Sequence, residues 1–276
     1  MLKLWPVDSL VKVFPDDTPG AEAPVEVLAA RGATESAQMA FQVDSDAPVL
    51  EVALDPPRSA DGKACLEETS WRRVEYVPVR TPAFSVDPTV RLRPGPSFFP
   101  DPLLDEAAAT AIHGAADWAG GLTGNVPGGM TIPLWLTLQV PEDAAPGKYA
   151  GRVTVKTAAG EASLPLKVEV SPARVPSERS LKLTHWFSQK AIAEAGHVPP
   201  WSEEHWRLLS IWGRNLAEHR SNVILTPLRE LLCLTRDHQG KLQVDFTRFD
   251  RWVETFIQAG AIGLIEGGHL ARRLSG

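Results

Sequence analysis

Residues 131–170 read TIPLWLTLQVPEDAAPGKYAGRVTVKTAAGEASLPLKVEV. Ile132, Leu134, Leu136, Leu138 and Val140 fall on one side of an extended chain, with Trp135 and Thr137 on the other. A period of two puts alternate side chains on opposite faces of a strand, so this run predicts a strand with one apolar face. The alternation returns from Tyr149 to Lys156 and from Ser163 to Val170. Pro141-Glu142-Asp143 and Ala145-Pro146-Gly147-Lys148 separate the first two runs as turns. Towards the N-terminus, Val25 to Ala30 and Ser36 to Val43 flank a turn at Arg31-Gly32, and Val74, Tyr76 and Pro78 alternate with Arg73, Glu75 and Val77. Short strands with turn signals every ~8–12 residues predict a β-sandwich over residues 1–172. The proline-rich stretch 80–130 is expected to leave the sandwich as a long excursion, with a short helix near Asp105 to Ile112.

The period changes after Ser171-Pro172-Ala173-Arg174-Val175-Pro176, and residues 173–180 are expected to form a linker. Leu181 to Phe187 reads as a strand. Ser202 is placed to cap a helix that carries Glu203 and Glu204 in its first turn and Trp206, Leu209, Trp212 and Leu216 on one face. Asn222 to Thr226 reads as a second strand, ended by Pro227, and residues 231–246 as a hairpin turning at Asp237-His238-Gln239-Gly240. Thr247, with Asp250 three residues on, predicts a capped second helix with a stripe of Phe249, Trp252, Val253, Phe256 and Ile257, stopped by Gly260. Ala261 to Ile265 reads as a third strand. Strand, helix, strand, helix, strand implies parallel pairing with right-handed crossovers. Residues 181–276 are therefore expected to be the first two to three units of an incomplete (β/α)8 (TIM) barrel, since a closed one needs ~250 residues. An open flavodoxin-like sheet is the alternative.

Composition narrows the function classes. Apolar residues make up 43% of the chain, enough for a packed core and too many for a disordered one. The net charge of −6, with no basic stripe, argues against a nucleic-acid partner. Arg72-Arg73 and Arg272-Arg273 read as solvated pairs. Two cysteines, Cys65 and Cys233, form neither a zinc spacing nor a disulfide framework, and no metal or cofactor is expected. The glycines of 120–129 lack the Lys-Ser/Thr of a phosphate loop. The N-terminal residues do not read as a signal peptide, and no apolar run approaches the ~18 residues of a membrane span. A cytoplasmic location, away from membranes, is the expectation. Most of the nine tryptophans are expected to pack in the core, but tryptophan is also the side chain that stacks best against the C–H face of a sugar.

Ala30-Arg31-Gly32-Ala33-Thr34-Glu35-Ser36-Ala37-Gln38 resembles the ARxxxESxQ strand pair of a bacterial sandwich domain, and NVPGGMTIPLWLTLQVPEDAAPGKYAGRVTV (residues 125–155) resembles that domain's second signature. The likeness continues through LKLTHWF, SEEHWRLL, NLAEHRSNVILTPL and FDRWVETFIQAGAIGLIEGGHL, and so covers nearly the whole chain. It is a likeness to glycoside hydrolase family 123 and its relatives, in which the sandwich precedes a catalytic barrel. The resemblance implies removal of terminal N-acetylhexosamine, typically a β-N-acetylgalactosaminide. In that mechanism the sugar's own acetamido oxygen attacks the anomeric carbon, an Asp orients it and a Glu serves as acid and base. The family's Asp-Glu phrase lies on a later barrel strand, and none follows residue 180 here. No catalytic residue is expected in the chain, which reads as truncated before that pair and as inactive by itself.

Barrel sites form at the C-terminal ends of the strands. His185 and Trp186 end the first expected strand, and the resemblance implies that they contact sugar, His185 at a hydroxyl and Trp186 by stacking; the competing reading is a pair in the barrel's core layers. Thr226, with Asn222, marks the second strand, and Glu266 and His269 the third, on either side of Gly267-Gly268. The candidate substrate-binding set is therefore His185, Trp186, Thr226, Glu266 and His269. The expected partner is an N-acetylated amino-sugar glycan, with self-association through the open barrel segment. The alternative is a non-catalytic carbohydrate-binding or structural β-sandwich protein carrying a vestigial barrel.

Overall fold

The computed structural model describes residues 1–80, 92–104 and 125–268. The chain is built mostly of strands with few helices and divides into two compact units, Met1–Pro176 and Ser177–Gly276. The helix expected at Asp105 to Ile112, Arg272-Arg273 and the candidate His269 lie outside the described residues.

In the first unit the strands are β1 (Leu2–Val7), β2 (Val25–Arg31), β3 (Thr34–Val43), β4 (Ala47–Ser59), β5 (Thr69–Val79), β6 (Ser97–Leu104), β7 (Asn125–Val126), β8 (Thr131–Gln139), β9 (Gly147–Thr157) and β10 (Gly160–Arg174). They form two five-stranded sheets, ordered β1-β3-β8-β5-β6 and β2-β10-β9-β4-β7. All pairs are antiparallel except β2 with β10. The alternation predicted for β8 holds: Ile132, Leu134, Leu136 and Leu138 are buried, and Trp135 and Thr137 are half-buried. They share one core with Met39 and Phe41 of β3 and with Val153, Val155, Leu164, Leu166 and Val168 of the other sheet. Each such side chain contributes about 1.5–3 kcal/mol by leaving water.

Three readings of this unit are corrected. The strands around Arg31-Gly32 are not paired with each other: β2 joins β10 and β3 joins β1 and β8, so the turn is a corner between sheets. Gly32 takes a left-handed φ of 72° there and donates its N–H to Val140 O at 2.9 Å. The stretch 80–130 does not leave the sheets throughout: β6, which holds Pro100 and Pro102, pairs with β5, and β1 likewise holds Pro6. Both strands are sheet edges, where one side of the backbone has no ladder partner and a missing N–H goes unused. In β4 the pair Pro56-Pro57 coincides with a register shift between Asp55 and Arg58, and Gly151 on β9 faces it so closely that a Cβ would stand 2.4 Å from Asp55 O. Finally, Arg73 is not solvated: it is 4% exposed and ion-paired with buried Glu75.

The second unit contains α1 (Gln189–Ala195), α2 (Glu203–Glu218), β11 (Val223–Thr226), α3 (Leu228–Leu231), β12 (Cys233–Arg236), β13 (Leu242–Asp245), α4 (Thr247–Gln258) and β14 (Leu264–Gly267). β11 and β14 pair in parallel, and β12 and β13 form the expected hairpin. No barrel is formed among the described residues. The expected first strand reduces to one parallel bridge, Thr184 to Val223. Asn222 is the reason. Its buried amide accepts from Leu183 N–H at 2.9 Å and donates to Arg179 O at 2.9 Å and Leu181 O at 3.0 Å, taking ladder positions with a side chain. Trp206, Leu209, Leu216, Ile224, Trp252 and Phe256 form the core, whereas Trp212 and Ile257, predicted to be buried, are largely exposed.

Candidate functional site

Thr184 and Trp186 sit two residues apart where the chain runs beside β11, and Glu266 sits on β14 at the register of Leu225. The crossover topology therefore brings residues 80 and 82 positions apart in sequence to one end of the parallel pair. The Thr184 hydroxyl donates to Glu266 Oε2 at 2.9 Å, and the Trp186 indole N–H is shared between both carboxylate oxygens at 3.2 Å. Two neutral donors thus hold a half-buried carboxylate. A carboxylate has about four acceptor positions, so Glu266 keeps capacity for hydroxyl donors from a ligand. Its anchoring also orients the Trp186 ring, and that residue is 63% exposed. A fixed aromatic face beside a carboxylate is suited to a ligand that has both C–H faces and hydroxyls.

His185, between the two donors in sequence, is exposed. Thr226 is fully buried and its hydroxyl turns back to Ile224 O at 3.1 Å, leaving it no surface for a ligand. This corrects its candidacy: a side chain at a strand end faces inward as readily as outward, and the following Gly268 N–H binds Thr226 O at 2.8 Å, closing that edge.

Beside the Glu266 cluster lies a cavity of about 630 Å³, lined by Phe187, Gln189, Leu225, Glu230, Trp252 and Gly268 among others. Leu225 lies on β11, Gly268 follows β14, Phe187 follows the Thr184 bridge, and Gln189, Glu230 and Trp252 come from the neighbouring helices. Sequence reasoning missed Gln189 and Glu230, and assigned Trp252 only to the core stripe. The usable signal was position, since Phe187-Ser188-Gln189 directly follows the expected strand. His205, fully buried, supports this wall: its Nδ1 accepts from Trp201 N–H at 2.9 Å, so its Nε2 donates to Gln189 O at 2.9 Å. Among the described residues no group of His, Cys, Asp or Glu is assembled that would hold a metal ion, and no helix is long and apolar enough to cross a membrane.

Residues 186–266 match the family model of the glycoside hydrolase 123 catalytic domain. That stretch starts at Trp186 and ends at Glu266. No curated protein matches the chain in sequence. Among solved structures, the chain is similar to a family 123 glycoside hydrolase from Clostridium perfringens, described for glycolipid glycan hydrolysis, with a TM-score of 0.74 and 13% identity over 96% of this chain. At that identity the likeness is one of fold. The chain spans 48% of that enzyme's length. CaCohA2 from Clostridium acetobutylicum is 14% identical over 53% of this chain and 86% of its own, with a TM-score of 0.22.

Proposed function

We propose that this chain is a carbohydrate-active protein of the glycoside hydrolase family 123 kind, in which a β-sandwich, residues 1–172, and a linker at 173–180 precede the opening of a (β/α)8 barrel, residues 181–276. Its ligand is a glycan ending in an N-acetylated amino sugar. The observation that carries this reading is the Trp186–Glu266–Thr184 cluster at the ends of the parallel strands, whose Trp186 and Glu266 are the first and last residues of the stretch that matches the catalytic-domain family. Trp186 stacks on the sugar and Glu266 accepts from its hydroxyls, with exposed His185 as a further sugar contact and His269 proposed as another from its place in the sequence alone. None of these residues needs to be catalytic. The family's Asp-Glu phrase is absent after residue 180, and removal of an acid/base group alone typically costs 10²–10⁴-fold.

Two measurements test the proposal. N-acetyl-D-galactosamine should bind the intact chain in calorimetry, and Trp186→Ala should weaken that binding by ~1–3 kcal/mol, as loss of an aromatic stacking partner does. A chromogenic N-acetyl-β-D-galactosaminide should not be turned over. Turnover would show that an acid/base group lies within these residues, with Glu266→Gln the first variant to make. Absence of sugar binding would favour the structural-sandwich alternative.

A further inference from the structure

The hairpin of β12 and β13 is exposed at every strand residue, and no further strand pairs with either of them among the described residues. The cross-strand partners Leu234 with Val244 and Arg236 with Leu242 put three apolar side chains on one face, with Leu234 58%, Leu242 51% and Val244 37% exposed. A two-stranded sheet by itself is marginal in water, and added strands stabilise it. The turn is nonetheless well specified. Gly240 takes a left-handed φ of 79° and donates its N–H to Asp237 O at 2.9 Å, and Asp237 N–H donates to Lys241 O at 3.0 Å. That last bond fixes which backbone groups face which way. Asp237 and Lys241 direct theirs into the hairpin, and by alternation so do Thr235 with Gln243 and Cys233 with Asp245. The N–H and C=O groups of Leu242 and Val244 therefore point outward from the free edge of β13.

A free edge is a template for another strand. Lys241-Leu242-Gln243-Val244-Asp245 states which strand fits, because it complements itself when run antiparallel. About a twofold axis at Gln243, Leu242 meets Val244 of a second copy, Lys241 meets its Asp245, and Gln243 meets its own equivalent. Outward-pointing residues then oppose outward-pointing ones, so each Leu242–Val244 pair closes both of its N–H···O bonds. Centring the axis on Leu242 or Val244 instead sets Gln243 against a charge and separates Lys241 from Asp245. The β12 edge carries Arg236 with no acidic residue in the strand to answer it. Both charges at the β13 edge are accessible: Lys241 is exposed, and exposed Asp245 uses Oδ1 for the Thr247 N–H and hydroxyl, which leaves Oδ2. Opposite charges facing each other across a ladder stabilise it and like charges weaken it, so the pairing selects its own register. We propose that the β13 edge is a self-association surface whose partner is the same edge of a second copy of this chain, joined about Gln243 into a four-stranded sheet. The twofold axis stands perpendicular to that sheet, so the apolar faces of the two hairpins lie on one side, and Leu242 of each copy packs against Val244 of the other. The surface is separate from the Trp186–Glu266 cluster and does not depend on what that cluster binds.

The test is a site-specific cross-link in the full chain carrying Cys65→Ser and Cys233→Ser, the two free cysteines. On the axis, Gln243 and its equivalent share no backbone bond and bring their Cα atoms to ~4.5 Å, within the ~4.4–6.8 Å that a disulfide spans. In a glutathione redox buffer, Gln243→Cys should form a covalent dimer about tenfold faster than Gln239→Cys in the exposed turn, because pairing raises the effective concentration of the two thiols. In sedimentation velocity, Lys241→Glu sets like charges opposite each other twice and should raise the dimer dissociation constant about tenfold. Val244→Pro removes an outward N–H, leaves the hairpin's own ladder intact, and should raise it as well. Equal cross-linking at positions 243 and 239, or a dissociation constant unmoved by Lys241→Glu, would overturn the pairing. So would a native chain that sediments as a monomer at every concentration. Should the cysteine replacements weaken the fold, the Lys241→Glu comparison in the otherwise native chain still decides. A chain that associates without either effect does so through another surface, such as the edge of β14, and the pairing is overturned.

Discussion

Arg73, Glu75 and Tyr76 lie consecutively buried on β5, where alternation alone would send Arg73 and Glu75 outward. Burial pulls the Arg73 guanidinium down to about 10. It also drives the Tyr76 phenol well above its ordinary range, while the hydroxyl donates to Thr131 O at 2.8 Å. Glu75→Leu should destabilise the first unit by ~3–5 kcal/mol, because it leaves a buried guanidinium without this carboxylate; urea unfolding measures it. Tyr76→Phe should cost ~1 kcal/mol at pH 8 for the lost hydrogen bond. The unfolded phenol ionises near pH 10 while the folded one stays protonated, so Tyr76 contributes stability below pH 10 that is lost as pH rises. Above pH 10 the deficit of Tyr76→Phe relative to wild type should therefore shrink by about 1.4 kcal/mol per pH unit. A deficit that is constant from pH 8 to 11 would show that the phenol is not held protonated. Arg73 works in the opposite sense over the same window, and because Tyr76 acts on it directly the comparison reads the pair together.

At the scale of elements, the helix ends show how far local signals reach. Ser202 caps α2 as its spacing implies, accepting from His205 N–H at 3.2 Å. At α4 the expected cap, Thr247, is the first helical residue instead, and Asp245 serves it by accepting both its N–H at 2.8 Å and its hydroxyl at 2.6 Å. The bond partner is displaced by two residues because β13 ends at Asp245 and the chain turns there. The packing of α2 on α4 is decided by Gly213, where an added Cβ would stand 2.8 Å from the Ala259 Cβ and 3.1 Å from the Phe256 ring. Gly213→Ala would gain ~1 kcal/mol of helix propensity on an isolated helix. Here the clash with short or rigid groups should outweigh that gain and lower the melting temperature of the second unit, read by circular dichroism. A raised melting temperature would mean that α2 and α4 separate without cost.

At the scale of the molecule, the two units differ in how completely they cover their sheets. The first has a core drawn from both five-stranded sheets, and residues 1–176 expressed alone should melt cooperatively. The second has β14 paired only with β11 among the described residues, with Leu264 50% and Ile265 45% exposed. An unpaired parallel edge carrying apolar side chains invites association. The chain should therefore form dimers or larger species in light scattering, and Ile265→Lys should shift it towards monomer. A strictly monomeric wild type would contradict this.

Alternation determined the strands β8, β9 and β10, and the spacing of Trp206, Leu209 and Leu216 determined α2, because both periods arise from each residue's own backbone geometry. The sequence also carried the order of elements that puts Trp186 and Glu266 at strand ends. Only the tertiary structure decided which strands are neighbours, so that β2 and β3 part at Gly32 and proline-bearing β1 and β6 become edges. It likewise decided that Asn222 replaces a ladder, that Arg73 is inside, and that Gln189 and Trp252 keep a buried polar atom each without a partner. Each of these depends on a partner distant along the chain, and a pairing across dozens of residues is set by which groups remain to be buried or bonded once the local elements have formed.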